Sequence, residues 1–496
     1  MPKKLLIFIV AYNHESTIQA VLGRIPRELH KYETEILIID DGSGDDTFRE
    51  AEAYQARTDF NFRLTVLKNP VNQGYGGNQK IGFQYAIKHG FHVVALVHGD
   101  GQYAPEKLPE LIEPIMLEEA DAVFGSRMMV KGDARRGGMP LYKLTGNKIL
   151  SAIQNWILNT HLTEFHSGYR IYSVETLRQI PFQLNSNVFH FDTEIIIQLI
   201  LGSFRIKELP IPTYYGDEIC HVDGLMYAKD VFKATAVVPF HKIGLFYQKK
   251  YDLSPGNRAY EPKTEFDSTH SRAVAAVPPG SQVLDIGCGT GAVARALRAR
   301  DCVVTGLDEL PADAVDGPDN YYQIQLGTGS LPVDPSKYDV VLLLDVIEHL
   351  KNPEDFINML HDQLATSPET EIIATTGNVA FGPVRIMLLL GMFNYGKRGI
   401  LDLDHARLFT FSSFRNIFTQ RGFQVNELSG VPAPFHLAFQ TPGPASILAF
   451  INNICIRVWR RFFAFQIFMR LKPTPSLNWL LAQAEEQAKL EIRDNS

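Results

Sequence analysis

The chain has 496 residues, more than one ordinary hydrophobic core holds, so two or three domains are expected. Its 45% hydrophobic and 21% charged content is that of a soluble globular protein, and a net charge of −7 argues against general nucleic-acid binding. Four scattered cysteines, Cys220, Cys288, Cys302 and Cys455, have no metal-ligand spacing and fit free thiols in a reducing, cytoplasmic compartment.

The start, "MPKKLLIFIVAYNHE", sets two lysines before an apolar run, superficially like a signal peptide. The run is short and no small-residue cleavage site follows, so a buried first strand is expected. No run reaches the roughly 18 apolar residues that span a bilayer. Strand and helix then alternate to about residue 245. Ile18, Val21, Leu22 and Ile25 fall at i, i+3, i+4, i+7 of a helix. "EILIIDDGSGDD", "FRLTVLKN", "HVVALVHGD" and "DAVFGSR" read as four further strands. Apolar strands separated by helices mean a mainly parallel, helix-covered α/β sheet. Ligands of such sheets bind beyond the carboxyl ends of the strands, where Asp40, Asp41, Asp100 and Arg127 fall.

Residues 246–279 are polar and contain Pro255, Gly256 and Pro262, as expected of a linker. From about residue 280, "GSQVLDIGCGTGAVARALRARDCVVTGLDEL" begins a second strand, glycine turn, helix and strand unit that runs to about 430. Residues 431–496 are expected to form a helical basic tail. Ile451, Ile454, Val458 and Phe462 have helical spacing there, with Arg457, Arg460 and Arg461 on a neighbouring face. Two readings of that helix stay open: peripheral contact with an anionic membrane, or packing on its own domain with the arginines solvated. "RIMLLLGMF", Arg385 to Phe393, is too short to span a membrane and is expected to cover an acceptor pocket.

In the first unit, "VAYNHE", "IIDDGSGDDT", "NQGYGGNQKIGFQYA", "HGDGQYAPEKLPEL", "VFGSRM", "HSGYRIYS" and "FDTEI" occur in one order. That order resembles family 2 glycosyltransferases, most of all the polyprenyl- or dolichyl-phosphate sugar synthases, over roughly residues 3–240. The resemblance implies a GT-A-type Rossmann-like fold over 1–245 and a nucleotide-sugar donor. It implies that Asp41 contacts the nucleoside, with Tyr12 and Glu15 lining the same pocket. It makes Asp100 the second acid of a D-x-D element and Gln102 the polar residue after it. A hard cation, Mg or Mn, held on oxygen ligands would then stabilise the departing diphosphate.

His98 stands where the first acid is expected. Three outcomes are open: Asp100 suffices with phosphate oxygens and water, His98 joins it and favours manganese, or metal binding is weak. Arg127, Arg135 and Arg136 stand where the synthase group holds its acceptor phosphate, and an arginine fork matches phosphate oxygens. A phosphate acceptor needs no general base. A sugar hydroxyl does, and Glu164 is then the candidate. The alternative is that Glu164 positions Arg170 or a backbone group. His166 reads as structural.

In the second unit, "VLDIGCGTG" puts Asp285, Gly287, Gly289 and Gly291 between an apolar strand and a helix. With Ala292 it also satisfies a relaxed dinucleotide fingerprint. Asp285 would repel a pyrophosphate but welcome an ammonium group, and Asp308 ends the next strand, where a carboxylate binds ribose. With "DVIEHL" after Asp345, the block resembles class I S-adenosylmethionine-dependent methyltransferases, a second Rossmann-like fold, over about 280–430. The resemblance implies that Asp285, Gly287, Gly289, Gly291, Asp308 and Asp345 form the S-adenosylmethionine pocket. Cys288 reads as packed rather than nucleophilic. Glu348–His349 reads as a helix start. In "DLDHARLFTFSSF", His405 is either the base for an acceptor hydroxyl or an anchor of its loop.

The expected function is therefore two-headed. A sugar passes from a nucleotide sugar to a polyprenyl-phosphate or glycan acceptor, and a sugar or related glycoconjugate is methylated, at oxygen. The competing reading is a catalytically impaired glycosyltransferase-like module that docks an active methyltransferase near lipid or glycan. A dehydrogenase second domain is a distant third.

Overall fold

The computed structural model describes residues 3–57, 62–214, 223–253, 266–327, 330–439, 442–477 and 479–484. It divides into two compact units, Met1–Pro239 with Gln248–Gly256, and Phe240–Tyr247 with Asn257–Ser496. Residues 254–265, the centre of the expected linker, and the end of the tail lie outside the described residues.

In the first unit the strands are β1 (Lys4–Ala11), β2 (Glu33–Asp40), β3 (Arg63–Lys68), β4 (Val93–His98), β5 (Ala122–Ser126), β6 (Arg170–Ser173) and β7 (Ile206–Pro210). Among the described residues they form one seven-stranded sheet, ordered β3-β2-β1-β4-β6-β5-β7. The pairs are parallel except at β6, which runs antiparallel to β4 and β5. Alternation along β1 divides the core. Leu5, Ile7 and Ile9 point into one hydrophobic cluster, and Leu6, Phe8 and Val10 into another. Both faces are covered, which is why the strand reads as an unbroken apolar run. Strand order reverses between β1 and β4, and a crevice forms at the carboxyl ends on either side of such a point.

In the second unit the strands are β8 (Gln282–Ile286), β9 (Val303–Asp308), β10 (Asn320–Gln323), β11 (Val340–Leu344), β12 (Glu371–Gly377), β13 (Phe423–Val431) and β14 (Gln466–Pro473). The sheet order is β10-β9-β8-β11-β12-β14-β13, with the reversal between β8 and β11. The segment expected as a helical tail carries a helix, Pro442–Phe463, and then β14. β14 inserts antiparallel between β12 and β13, so these residues complete the sheet. Ile467, Met469 and Leu471 lie in one core cluster and Phe468 in the other, and that burial holds the strand there. The helix Gly382–Leu389 packs Val384 and Met387 with Ile243 and Leu245, so Phe240–Tyr247 belongs to this unit's core. Leu389 is 86% exposed. Among the described residues no helix is long and apolar enough to cross a membrane.

Candidate functional sites

In the first unit, the loops after β1 and β2 are stitched together. The Asn13 N–H donates to Ser43 Oγ (2.8 Å), the His14 N–H to Thr47 Oγ1 (2.7 Å), and the Asp46 N–H to Glu15 Oε2 (3.1 Å). Tyr12 stands beside them, 42% exposed. Asp40 is fully buried, accepts from Ser43 and faces Lys68 Nζ at 3.2 Å. Asp41, expected at the nucleoside, accepts from Asn69 Nδ2 (2.7 Å) and from the backbone N–H groups of Gln73 (2.9 Å) and Gly74 (3.0 Å). Its carboxylate shapes the loop that leads into the helix Tyr75–Lys88.

Asp100 is half-buried just past β4, and its Oδ1 accepts from the Gln102 N–H (3.0 Å). His98 turns towards aromatic neighbours. Its Nε2 lies 3.2 Å from the Tyr75 hydroxyl, which donates to Asp192 Oδ2 (2.9 Å). Since that hydroxyl proton goes to Asp192, His98 Nε2 carries the proton of the shared bond. Tyr103 closes edge-on at 4.9 Å between ring centroids. A Cβ on residue 168 would come within 2.5 Å of the imidazole, so Gly168 is required for the backbone to lie there. Burial lowers the His98 pKa against the opposing charges of Asp100 and Asp192. Among the described residues no three His, Cys, Asp or Glu side chains stand ready to hold a metal. The donors here fit one carboxylate ligand with the remaining oxygens drawn from phosphate and water.

Arg127 and Glu164 form a buried pair. Arg127 Nε donates to Glu164 Oε1 (3.0 Å) and its backbone N–H to Oε2 (2.7 Å), while Nη2 reaches Oε1 and the His166 carbonyl. Asn147 Nδ2 adds a bond to Oε1 (2.8 Å). Burial alone would raise the Glu164 pKa, but the Arg127 charge and these hydrogen bonds bring it below the usual range. That suits a fixed anion better than a proton acceptor. Arg170, offered as its partner, instead donates to the carbonyls of Ser167 (2.8 Å) and Phe165 (2.7 Å). Arg135 and Arg136 are exposed on the short helix Asp133–Arg136, and Arg136 pairs with Asp133. Burial lowers the His166 pKa to about 4, and its Nδ1 shares a hydrogen bond with the Tyr227 hydroxyl (2.8 Å).

In the second unit, Asp285 is buried with an unpartnered Oδ2. Burial, and then the Asp308 charge, raise its pKa to about 7. Asp308 accepts from the N–H groups of Gly289 (2.7 Å) and Leu310 (3.1 Å), so it also holds the glycine turn in place. Gly287 has φ +79°, and a Cβ there would strike Val346 at 2.5 Å. A Cβ on Gly289 would meet nothing within 4 Å, which leaves open space beside the turn. Gly291 passes so close to the Asp316 carbonyl that a Cβ would overlap it. An orphaned buried carboxylate beside open space fits a ligand that carries an ammonium or sulfonium charge. Burial raises the Cys288 thiol pKa, as expected for a packed residue.

Asp345 holds a left-handed backbone, φ +55°, which is strained for a residue with a side chain. It accepts from Thr375 Oγ1 (2.8 Å) and Gln466 Nε2 (2.8 Å), the second from β14. The Glu348 side chain is buried with Oε2 unpartnered, and burial followed by the Asp345 charge raises its pKa. His405 Nδ1 meets the Ile400 carbonyl at 3.0 Å and so anchors its loop. Burial is the main cause that lowers its pKa. The sequence does not single out Tyr75, Asp192, Asn147, Thr375 or Gln466: Tyr75 and Asp192 lie in the glycosyltransferase-like stretches "NQGYGGNQ" and "FDTEI", and the other three have no local signal.

Residues 6–180 match Glycosyl transferase family 2, and residues 258–428 match a methyltransferase domain. The chain is 31% identical over 227 residues to the UDP-N-acetylglucosamine–dolichyl-phosphate N-acetylglucosaminyltransferase of Methanococcus voltae, covering 44% of this chain and 88% of that protein. It is 29% identical over 213 residues to the undecaprenyl-phosphate mannosyltransferase of Micrococcus luteus, covering 42% and 82%. A solved structure of glucosyl-3-phosphoglycerate synthase from Mycobacterium tuberculosis aligns at 18% identity and TM-score 0.37, over 49% of this chain and 83% of that one.

Proposed function

We propose, for a chain that belongs to glycosyl transferase family 2 and carries a methyltransferase domain behind that unit, that it glycosylates a polyprenyl phosphate and methylates a sugar oxygen of the same class of glycoconjugate. The observation that carries the first half is the convergence of Tyr12, Asp41, Asp100 and Arg127 at the carboxyl ends of β1, β2, β4 and β5. The relatives whose names specify dolichyl or undecaprenyl phosphate favour that acceptor.

In this reading the nucleotide of the donor sits over Tyr12 and the Asp41 loop, with Glu15 beside it, and Asp100 with Gln102 faces the diphosphate. Asp100 would hold a divalent ion, which would supply Lewis-acid stabilisation of the leaving diphosphate. Glu164 keeps Arg127 ionised and oriented, and Arg127 with Arg135 and Arg136 receives the acceptor phosphate. That phosphate is already a nucleophile, so no side chain has to take a proton from it. His98, hydrogen-bonded to Tyr75, supports the β4 end.

In the second unit, Asp285 takes the ammonium of S-adenosylmethionine, the turn Gly287–Gly291 lets its backbone approach, and Asp308 faces the ribose. Asp345 closes the pocket. Bound S-adenosylmethionine would supply the methyl group for an acceptor oxygen, and His405, held through Nδ1 by the Ile400 carbonyl, is the candidate to receive the hydroxyl proton. The helix carrying Arg457, Arg460 and Arg461 is the candidate membrane contact, at the cytoplasmic face.

The test is mass spectrometry of lipid-linked products formed from nucleotide sugars, a polyprenyl phosphate, MnCl2 and S-adenosylmethionine. The expected result is a gain of one glycosyl unit and, separately, of one methyl group. No change in either sinks the assignment. His98 in the place of an acid favours one second reading, a docking module without turnover. Donor binding without any transfer, in the parent and in His98→Asp, would support it.

A further inference from the structure

The helix Pro442–Phe463 has two apolar sides, and its own domain covers one of them. The inner side is held in place. Ile456 lies in a core cluster, and Asn452 accepts from the Ala433 N–H (3.1 Å) and donates to the Phe463 carbonyl (2.9 Å). On the opposite side Ile447, Phe450, Ile451, Ile454 and Val458 recur at i, i+3, i+4, i+7 and i+11, one stripe of a helix, and they are 47–83% exposed. A helix apolar on both sides has a second surface to bury. Because the inner side is fixed to the core, the stripe runs flat along the surface of the unit.

The helix Gly382–Leu389 adds to it. Val384 and Met387 pack inward, while Ile386, Leu388, Leu389 and Leu390 are 48–86% exposed. The two helices adjoin. The Arg385 guanidinium lies over the rings of Trp459 (6.0 Å) and Phe462 (5.6 Å), and a Cβ on Gly382 would come within 2.5 Å of the Phe462 ring. The non-helical backbone of Trp459 (φ −148°, ψ 75°) breaks the long helix at this contact. Large exposed apolar side chains clustered in this way mark an interaction surface.

Charge says what covers it. The chain carries 55 acids against 48 lysines and arginines, yet residues 372–401 and 428–484 contain no Asp or Glu. At the exposed face the charge is basic: Arg385 beside Trp459, and Arg457 and Arg461 in the last turns of the long helix. Among the described residues neither Arg457 nor Arg461 pairs with an acid. Leucine and isoleucine edged by arginine and tryptophan fit the headgroup layer of an anionic bilayer, where arginine reaches phosphate and the aromatic ring sits at the boundary. A second copy of the same face would bring like charges together with no acid to meet them.

We propose that the outward face of the helices Gly382–Leu389 and Pro442–Phe463 seats the methyltransferase unit on an anionic bilayer, lying in its plane with leucines and isoleucines inserted. For the arginine helix this rests on the membrane contact given above. The second helix and the apolar insertion go beyond it, and they make binding outlast the screening of the arginine charges by salt. Leu390 leads on to Ile400, whose carbonyl orients His405 (3.0 Å), so the candidate acceptor base lies in the same stretch of chain as the inserted leucines. A methyl acceptor carried on a membrane lipid is the class this arrangement serves.

The experiment is co-sedimentation of the full chain with vesicles of phosphatidylcholine and phosphatidylglycerol in equal parts, and of phosphatidylcholine alone. The expected result is binding to the mixed vesicles that falls but persists in about 0.5 M NaCl. Leu389→Ser with Leu390→Ser, and separately Ile451→Ser with Val458→Ser, should each weaken it about tenfold or more. All four side chains are at least half exposed, so the fold should stand, and thermal unfolding of each variant reports on it. No binding to the mixed vesicles, complete release by salt, or binding of the Leu389→Ser, Leu390→Ser variant within about threefold of the parent overturns the inserted face. So does a lipid-free dimer, seen by sedimentation velocity, that the same substitutions dissociate. Loss of binding only in Arg457→Gln with Arg460→Gln and Arg461→Gln overturns the two-helix face and leaves the arginine contact standing. The two transfers are read separately, with a short-chain acceptor in solution. Their absence while vesicle binding behaves as expected counts against the proposed reactions and supports the surface.

Discussion

Asp285→Asn should make the second unit more stable and less able to bind its cofactor. Burial and the Asp308 charge raise the Asp285 pKa from 3.8 to about 7. The folded protein therefore holds this proton up to about pH 7, while the unfolded chain releases it near pH 4. Between those values the folded state binds more protons, so stability falls as pH rises through the window. A shift of about three units corresponds to at most about 4 kcal/mol, fully expressed above pH 7. Asparagine carries no charge and removes that slope. Calorimetric unfolding of the ligand-free chain at pH 5 and pH 8.5 should show the second unit weakening in the parent and much less in the variant. Titration with S-adenosylmethionine at pH 8 should show at least a tenfold loss of affinity, about 1.4 kcal/mol. Since the bound ammonium favours ionised Asp285, binding to the parent below pH 7 should also release a proton. Equal pH slopes in parent and variant, or unchanged affinity, would refute the assignment of Asp285 as an uncompensated buried acid awaiting a cation.

Gly287→Ala and Gly289→Ala separate folding from binding. The first drives a methyl into Val346 and should destabilise the unit, whereas the second faces open space and should cost only about 1 kcal/mol of backbone strain while weakening cofactor binding. Glu164→Gln strands the buried Arg127 guanidinium and should lower first-unit stability by about 3–5 kcal/mol, read by chemical denaturation at pH 7. Because the Glu164 pKa is lowered in the fold, the parent keeps this stabilisation above the normal carboxylate range and loses it as pH falls through the lowered value. His98→Asp shortens the side chain away from Tyr75 and adds a negative charge beside Asp192. Glycosyl transfer should fall rather than rise, and an increase in metal-dependent turnover would contradict the packing role.

Much of this protein was legible in one dimension. Unbroken apolar runs such as Leu5–Val10 announce strands buried on both faces, and acids or glycines directly after them mark the strand ends. Those signals are local: a strand, its turn and the helix after it are contiguous, so Asp41, Asp100, Asp285 and Asp308 appear at strand ends in the sequence and in the fold. What each carboxylate touches is not local. Asp41 and Asp308 are drawn into hydrogen bonds with loop backbone, Glu164 is claimed by an arginine 37 positions away, and His98 is tied to Tyr75 and through it to Asp192. The tail shows the same limit. Basic residues and helical spacing describe Pro442–Phe463 well, but nothing in residues 466–473 alone says that they slide between β12 and β13 and bring Gln466 to Asp345. Periodicity records which face of a segment is buried. Only the assembled chain decides which distant partner buries it, and so which polar groups remain unpaired and open to a ligand.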